Sequence, residues 1–192
     1  MRESGQISEE EMVKTIRNVD DIADQYSKRI LSNIIGKDPM KVLERTPRRL
    51  RKLVKGLKKK QLRYQYAPGK WSIAQIVNHL ADAELTGAFR LRMMVSQAGS
   101  PILAYDQNAW ANTLHYDRSN VDEKVELFAA VRKSQLEIWD SLNESDWEKF
   151  GLHSERGKET VERFAQLHAG HDINHLNQIR AIRKMFGKNR KK

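Results

Sequence analysis

The sequence predicts an all-α protein, an antiparallel bundle of four main helices preceded by an extra N-terminal helix. Apolar residues recur every three or four positions along most of the chain, which is the spacing of one helix face. Only four prolines and ten glycines interrupt the 192 residues. No stretch of useful length alternates with the period of two that strands show. Because a helix with one apolar stripe must bury it against another element, such helices pack into a bundle.

Composition narrows the class of protein further. The chain has 39% apolar residues, a mean hydropathy of −0.73 and no cysteine, which excludes disulfides and thiolate metal sites. No apolar run approaches the roughly 20 residues that cross a bilayer. The N-terminus lacks the apolar region of a signal peptide. We therefore expect a cytoplasmic protein with no membrane partner.

The first 36 residues predict an N-terminal helical extension. The apolar positions between Ser8 and Ile35 are three or four residues apart, and Gly36 to Pro39 ends the pattern. The residues of this stripe are Met12, Ile16, Val19, Ile22, Tyr26, Ile30 and Ile34. We divide the chain into this extension, residues 1–36, and a four-helix bundle with a basic C-terminal tail, residues 37–192.

Four further helices follow from periodicity and capping signals. The first spans about 40–54, with Pro47 expected to kink or restart it. Ser72 and Gln75 have the spacing of a capping box for a helix that continues to about residue 97. A long loop is predicted over 100–117. Loops of that length in a compact domain are often functional. Asn120 and Thr160 are the predicted N-caps of the last two helices, the final one spanning about 161–186.

The net charge of +10 is concentrated in two stretches. Residues 45–63 carry ten basic side chains and residues 180–192 carry seven, with no acidic residue in either stretch. Such stretches favour a nucleic-acid-binding protein as an alternative function. Against it, the first stretch has no interleaved aromatic residue before Tyr64, and it matches no helix-turn-helix or zinc-finger pattern.

Histidines are the candidate chemical groups. His171 and His175 are four residues apart and therefore project from one face of the last helix, while His79 lies in the most apolar helix. Imidazoles from two facing helices can share one metal ion and leave a position open to water or substrate. The alternative is that each histidine is simply packed and hydrogen-bonded, and the H-x-x-x-H spacing alone does not decide between them.

Three segments resemble one known family. Residues 69–82, GKWSIAQIVNHLAD, resemble the second-helix signature of the DinB-like superfamily. Residues 101–110, PILAYDQNAW, and 169–176, AGHDINHL, resemble its YfiT branch, which comprises metal-dependent hydrolases and includes bacillithiol transferases. The likeness spans about 40–185 and keeps the three motifs in order.

The resemblance implies an up-down-down-up four-helix bundle in which His79, His171 and His175 hold a divalent metal, zinc or nickel. It also implies that Tyr105, Asp106 and Trp110 lie near the mouth of a pocket and bind a cofactor or substrate there. A dimer is common in the family, so a homodimer is expected. Residues 1–36 have no counterpart in the family, and Asn177 and Gln178 stand near the place of a further histidine.

Other residues near these motifs have two interpretations. Asp82, three residues after His79, is either a partner of an imidazole and a catalytic base or a solvated helix charge. His168 is expected at the surface or beside the site rather than as a ligand. His115 and His153 are expected to be exposed in loops. Trp71, Trp139 and Trp147 are expected to anchor the core or loops.

Two reactions fit a three-histidine metal. The ion can make hydroxide available from water, which supports hydrolysis of a small molecule. It can instead stabilise the thiolate of a low-molecular-weight thiol, which would then be transferred to an electrophile. By analogy with the family we favour thiol transfer. A bundle that binds metal without catalysis stays a further alternative.

Overall fold

The computed structural model describes residues 13–188, with side chains as far as residue 186. Its helices in chain order are α1 (Gln25–Leu31), α2 (Pro39–Val54), α3 (Lys59–Leu62), α4 (Ile73–Ser96), α5 (Gln107–Thr113), α6 (Val121–Ser141), α7 (Glu144–Trp147) and α8 (Val161–Lys188). A 3₁₀ turn, Ser32–Ile34, follows α1, and three short strands complete the fold, β1 (Ser100–Ile102), β2 (Phe150–His153) and β3 (Gly157–Thr160). The predicted bundle is confirmed, with α2, α4, α6 and α8 as its main helices.

Cross-helix contacts fix the directions of α2, α4 and α6. Glu84 in the middle of α4 meets Arg132 in the middle of α6, and Arg92 further along α4 donates to Ser134 Oγ at 2.8 Å, so these two helices are parallel. Arg132 also donates to the carbonyl of Leu43 near the start of α2, whereas Arg51 near the end of α2 pairs with Glu126 near the start of α6. Helix α2 is therefore antiparallel to α6.

Helix α8 completes the bundle in the direction of α2. The guanidinium of Arg183, late in α8, donates to the carbonyl of Leu53, late in α2. His79, early in α4, meets His171 and His175 of α8, while Gly87 further along α4 faces the earlier His168. With α8 parallel to α2 and antiparallel to α4, the order of directions is up, down, down, up.

The bundle core consists of two apolar clusters. The cluster at the start of α2 and α8 contains Trp139 and Leu43, and the one at the opposite end contains Phe128 and Leu80. A buried polar layer lies between them, in which Arg132 donates to Glu84 Oε1 at 2.7 Å and Asp172 Oδ2 at 2.8 Å. The guanidinium donates to both carboxylates, and burial raises the pKa of Glu84, which reduces the net negative charge that the layer carries inside the bundle.

Pro47 lies inside α2, and the helix continues through it rather than restarting. Proline has no N–H, so the carbonyl of Leu43, four residues earlier, has no helical donor. Arg132 Nη1 donates to that carbonyl at 2.9 Å. The buried guanidinium thus connects α2 to the polar layer and supplies the hydrogen bond that Pro47 cannot make.

The prediction of a long N-terminal helix is wrong for most of the residues described. Only α1 and the 3₁₀ turn are helical, and residues 13–24 form an extended segment across α8. Lys14 N–H donates to Glu162 at 2.8 Å, and Gln166 donates to the Lys14 carbonyl at 2.8 Å. These contacts replace helical hydrogen bonds, and Asp24 caps the start of α1 through Ser27 N–H at 2.7 Å. Met12 of the predicted stripe lies outside the described residues.

Two predicted connections contain regular structure. The segment 100–117, predicted as a loop, holds β1 and α5, and the segment before α8 holds β2 and β3. β1 pairs parallel with β2, Pro101 opposite Leu152, and β2 pairs antiparallel with β3, Leu152 opposite Lys158. Strands of three or four residues are too short to show an alternating pattern in sequence. The sheet packs at one end of the bundle beside the end of α4.

The remaining capping predictions are confirmed. Ser72 and Gln75 form the capping box of α4, Asn120 accepts from Asp122 N–H at 3.1 Å, and Thr160 accepts from Arg163 N–H at 3.1 Å. Trp139 and Trp147 are buried as predicted. Within residues 13–188, no helix combines the length and apolar content that crossing a membrane requires.

Candidate metal centre

The three predicted histidines converge between α4 and α8. His79 lies in the second turn of α4, whose start is fixed by the capping box, in which Ser72 N–H donates to Gln75 Oε1 at 2.9 Å. His171 and His175 are one turn apart on α8, and because α4 and α8 are antiparallel neighbours their side chains meet. His79 and His175 are buried and His171 is half-buried.

Their Nε2 atoms point towards a common centre. His171 Nε2 lies 2.9 Å from His79 Nε2 and 3.1 Å from His175 Nε2. The three possible ligand atoms lie within 4.8 Å of one another. An ion bound tetrahedrally at the usual zinc–nitrogen distance would hold neighbouring nitrogens about 3.3 Å apart. The spacing in the protein is close to that requirement.

Burial keeps these imidazoles neutral. Desolvation, together with the charge of His175, lowers the pKa of His79 well below its ordinary value. Desolvation and the neighbouring histidines do the same to the pKa of His171, and desolvation lowers the pKa of His175 to about 4. Neutral imidazole is the form that binds a metal, so the rings need not lose a proton to do so at neutral pH.

Two neighbours orient the rings. His175 Nδ1 lies 2.9 Å from Gln178 Oε1. Since the amide oxygen can only accept, Nδ1 carries the proton and Nε2 presents its lone pair to the centre. The Trp71 ring packs at 4.9 Å from the ring of His79 and is stacked against His175 at 6.5 Å. Both ligand-bearing helices are therefore held at the site by packing as well as by capping.

Two cavities open on either side of the histidines. One, of about 410 Å³, reaches His171 and His175, and we call it the Lys70 cavity after a residue at its rim. The other, of about 400 Å³, reaches His79 and His171, and we call it the Arg90 cavity. Both are also lined by Tyr26, Gln107 and Asn108. The centre is thus accessible from two directions.

The three residues expected at the pocket mouth lie together near the Arg90 cavity. Tyr105 and Asp106 line it, and the Trp110 ring stacks on Tyr105 at 4.2 Å between centroids. The Asp106 carboxylate caps α5, accepting from Asn108 N–H at 2.8 Å and Ala109 N–H at 3.0 Å. Asp106 is therefore the N-cap of α5, a role that the sequence interpretation did not assign to it.

Asp82 lies one turn after His79, and its carboxylate accepts a hydrogen bond from the Tyr116 hydroxyl. Burial and this bond to Asp82 raise the pKa of Tyr116. Asp82 is half-buried and lines neither of the two cavities. The structure thus brings together the three predicted ligands but places the predicted catalytic carboxylate outside both cavities.

Two other histidines line the Arg90 cavity, His168 in one of its expected positions and His153 against expectation. His168 lines the Arg90 cavity beside His171 without joining the three-nitrogen cluster, and its ring packs at 4.3 Å from Phe164. A Cβ at Gly87 would lie 2.3 Å from the His168 ring, so glycine makes room for it. His153 was expected to be exposed and is instead buried in β2, where its Nδ1 accepts from Glu155 N–H at 3.1 Å.

Sequence reasoning missed Tyr26, Arg29 and Gln178 as residues of the site. Tyr26 and Arg29 belong to α1, which reaches the cavities because the carbonyl of Ile30 packs against Gly170, where a Cβ would lie 2.4 Å from it. This close approach between α1 and α8 has no local signal in sequence. Gln178 could have been found, since a residue three positions after a candidate ligand on the same helix is within reach of it.

Known proteins share both the sequence pattern and the fold. A profile of the DinB superfamily matches residues 42–179. A protein of Oceanobacillus iheyensis named "Putative metal-dependent hydrolase" is 27% identical over 152 residues, covering 79% of this chain and 88% of that protein. One of the same name from Bacillus licheniformis is 28% identical over 148 residues, covering 77% and 84%.

A solved structure supports the same assignment at the level of the fold. YfiT from Bacillus subtilis, described as having "an unusual four-helix bundle topology", superposes with a TM-score of 0.74 at 22% identity. The superposition covers 78% of this chain and 86% of that one. The profile match covers residues 42–179, more than half of the chain, and the chain belongs to the DinB superfamily.

Proposed function

We propose that this protein is a metal-dependent enzyme whose divalent ion is held by His79, His171 and His175. The observation that carries the proposal is the convergence of three neutral imidazoles with Nε2 separations of 2.9 and 3.1 Å. Gln178 holds the proton of His175 on Nδ1, so the Nε2 lone pair of His175 faces His171 Nε2, an arrangement that a shared cation would complete. The names of the relatives agree with a metal-dependent activity.

Such an ion supplies Lewis acidity, which lowers the pKa of a coordinated water or thiol. The rest of the site belongs to the chain. Gln178 holds His175 in one tautomer, Trp71 excludes water from one side of the two rings, and His171 faces both cavities. Two cavities at one centre suit two reactants, so we favour transfer of a low-molecular-weight thiol to an electrophile over hydrolysis.

The residues around the Arg90 cavity would position one reactant. Tyr105 and Asp106 line it, and Trp110 acts through its stacking on Tyr105. Asp82 keeps a role as a proton acceptor only if the Tyr116 hydroxyl moves from its carboxylate or relays the proton. Zinc or nickel as the ion, a homodimer and a cytoplasmic location stay predictions from the sequence.

Metal analysis tests the proposal first. Purified wild type is expected to contain about one equivalent of zinc or nickel per chain, and His171→Ala is expected to lose it because two imidazoles bind such an ion far more weakly than three. His168→Gln, one turn earlier, is the matched control and should retain the metal. Equal metal content in wild type and His171→Ala would refute the assignment.

Activity is measured on the metal-loaded protein. Conjugation of a haloarene to a low-molecular-weight thiol is expected with wild type and not with His171→Ala. Conjugation that is equal in the two proteins would contradict the metal-dependent transfer. Conversion of the haloarene to the hydroxyarene and halide, with water and no thiol present, would assign hydrolysis instead.

Nucleic-acid binding remains a second candidate because the two basic stretches meet. The ends of α2 and α8 lie at the same end of the bundle, where Arg183 contacts the Leu53 carbonyl and Tyr64 packs against Phe186 at 5.1 Å. Residues 189–192 of the second stretch lie outside the described chain. Duplex binding that persists near physiological salt would support this function, since non-specific phosphate contacts weaken steeply with salt.

A further inference from the structure

The two cavities beside the histidines differ in charge. Four carboxylates line the Arg90 cavity, from Asp24, Asp106, Glu155 and Glu159, against two guanidinium groups, from Arg90 and Arg156. The Lys70 cavity is lined by two cationic side chains, Arg29 and Lys70, and by no aspartate or glutamate within the described residues. Since both cavities reach His171, the difference distinguishes two ligands that approach the same centre.

The cations of the Lys70 cavity are available to a ligand. The ion pairs found within residues 13–186 include neither Arg29 nor Lys70. By contrast, Arg156 in the Arg90 cavity is paired with Glu159 at 2.5 Å. A cation without a carboxylate partner, at the rim of a cavity that contains no acid, favours an anionic ligand over a neutral or cationic one.

The walls of the Lys70 cavity specify the rest of the ligand. Tyr26, Tyr66 and Trp71 offer aromatic faces, and Ile182 and Met185 of α8 add an apolar surface. Gln178 and Asn174 provide amides between these faces and the histidines. A few convergent polar groups in a largely apolar cavity are typical of sites for small organic molecules.

We infer that the Lys70 cavity binds an organic anion with a flat apolar body, its acid group at Arg29 and Lys70 and its body against Trp71 and the tyrosines. This deepens the proposed function, on which it rests for the ligand's part in the reaction: one of the two reactants carries a negative charge. Arg29 and Tyr26 lie before residue 42, where the family match begins. The N-terminal segment therefore sets this specificity.

Calorimetric titration of the metal-loaded protein tests the inference. The probes are 2-naphthoate, 2-naphthalenesulfonate and the neutral 2-naphthamide. Both anions are expected to bind about tenfold more tightly than the amide, because a hydrogen bond to a charged partner is stronger than one between neutral groups. If the site recognises the geometry of a carboxylate rather than its charge, naphthoate but not naphthalenesulfonate will bind more tightly than the amide. Equal affinity for the amide and both anions would overturn the inference.

Variants locate the binding. Arg29→Gln and Lys70→Gln should each weaken naphthoate binding about tenfold and leave amide binding unchanged, since each removes one charge-assisted contact. Arg48→Gln and Lys133→Gln, exposed cations outside the cavity, are the matched controls. Circular dichroism spectra of all four establish that they are folded. A loss in the Arg48→Gln control equal to that in Arg29→Gln would contradict the assignment to this cavity.

One further variant separates the anion site from the metal. His79 lines the Arg90 cavity and not the Lys70 cavity, so His79→Ala removes a metal ligand and leaves every residue that lines the proposed anion site in place. Naphthoate binding should survive in His79→Ala and in wild type treated with chelator. Binding that disappears with the metal in both would show that the probe binds the ion, which refutes the anion site while leaving the proposed function intact.

Discussion

The protein buries two polar clusters a short distance apart on α8, and they differ in how their polarity is compensated. In the cluster of Arg132, Glu84 and Asp172, a guanidinium lies between two carboxylates, with Gln135 also donating to Glu84. Although burial opposes the charge, the two carboxylates raise the pKa of Arg132 above its ordinary value. The charged groups of this cluster are hydrogen-bonded within the chain, and the cluster links all four main helices.

The cluster of His79, His171 and His175 is uncharged. Its imidazoles are held neutral by desolvation, and His171 Nε2 lies 2.9 Å from His79 Nε2 and 3.1 Å from His175 Nε2. His171 and Asp172 are adjacent residues of α8, yet they belong to different clusters. Their place in the fold therefore does not by itself explain why one cluster contains paired charges and the other neutral rings. A cluster whose charges are paired within the chain serves the fold, whereas neutral imidazoles that converge beside two cavities have nitrogen atoms to offer to a ligand.

The largest expected effect comes from breaking the charged cluster. Arg132→Met leaves two buried carboxylates without a cationic partner and frees the Leu43 carbonyl, so the free energy of unfolding should fall by about 3–5 kcal/mol. Urea unfolding monitored by circular dichroism measures the change. Arg51→Met is the matched control, because it also breaks an ion pair that ties α6 to a neighbouring main helix, α2, but one whose two partners are exposed.

That control should leave the unfolding midpoint close to wild type, since solvent screens the exposed pair. Similar losses in Arg132→Met and Arg51→Met would show that the buried cluster adds nothing beyond a surface contact.

The next largest effect concerns the support of the histidine cluster. Gln178→Ala removes the acceptor that holds His175 in one tautomer, so zinc affinity should fall about 10- to 100-fold. Competition with a chelator measures the affinity. Asn177→Ala is the matched control, because Asn177 bonds Arg180 rather than a histidine. Unchanged affinity in Gln178→Ala would mean that packing against Trp71 orients His175 without the amide.

The same contrast explains what the sequence could and could not predict. Periodicity and the capping residues Ser72, Asn120 and Thr160 predicted four main helices, because these signals are local. The pair His171 and His175 was visible as a helical spacing and His79 as a histidine in the most apolar helix, and the resemblance assigned all three to one metal. Residues 13–24 were misassigned because their apolar side chains have helical spacing while their backbone groups bond to Glu162 and Gln166 of α8.

Long-range partners were also beyond the sequence. Nothing near Pro47 indicates that Arg132, 85 positions later, donates to the carbonyl that the proline leaves free. Likewise, the charge of the Lys70 cavity depends on Arg29 reaching the site through the contact between Ile30 and Gly170. The composition gave the total charge, but only the packing of α1 on α8 places one of those charges beside the histidines.

The smallest expected effect is a pH dependence of the free energy of unfolding, which comes from His168 beside the three clustered histidines. Burial, followed by the charges of Arg132 and Arg90, lowers the pKa of His168 to about 3 from 6.5. Below pH 6.5 the unfolded chain therefore binds a proton that the folded chain does not. Stability is full above pH 6.5 and falls with acidification towards pH 3, by up to about 1.4 kcal/mol per pH unit for this group.

His168→Phe keeps an aromatic ring beside Gly87 and Phe164 but removes this proton. In the presence of chelator, the free energy of unfolding of the variant should fall less steeply than that of wild type between pH 6.5 and 5, and the two curves should run parallel between pH 7.5 and 8.5. His79, His171 and His175 still titrate in the variant, since their pKa values are also lowered, so part of the acid sensitivity must remain. Identical slopes below pH 6.5 would show that His168 is solvated in the folded protein and that acid acts through the three clustered histidines alone.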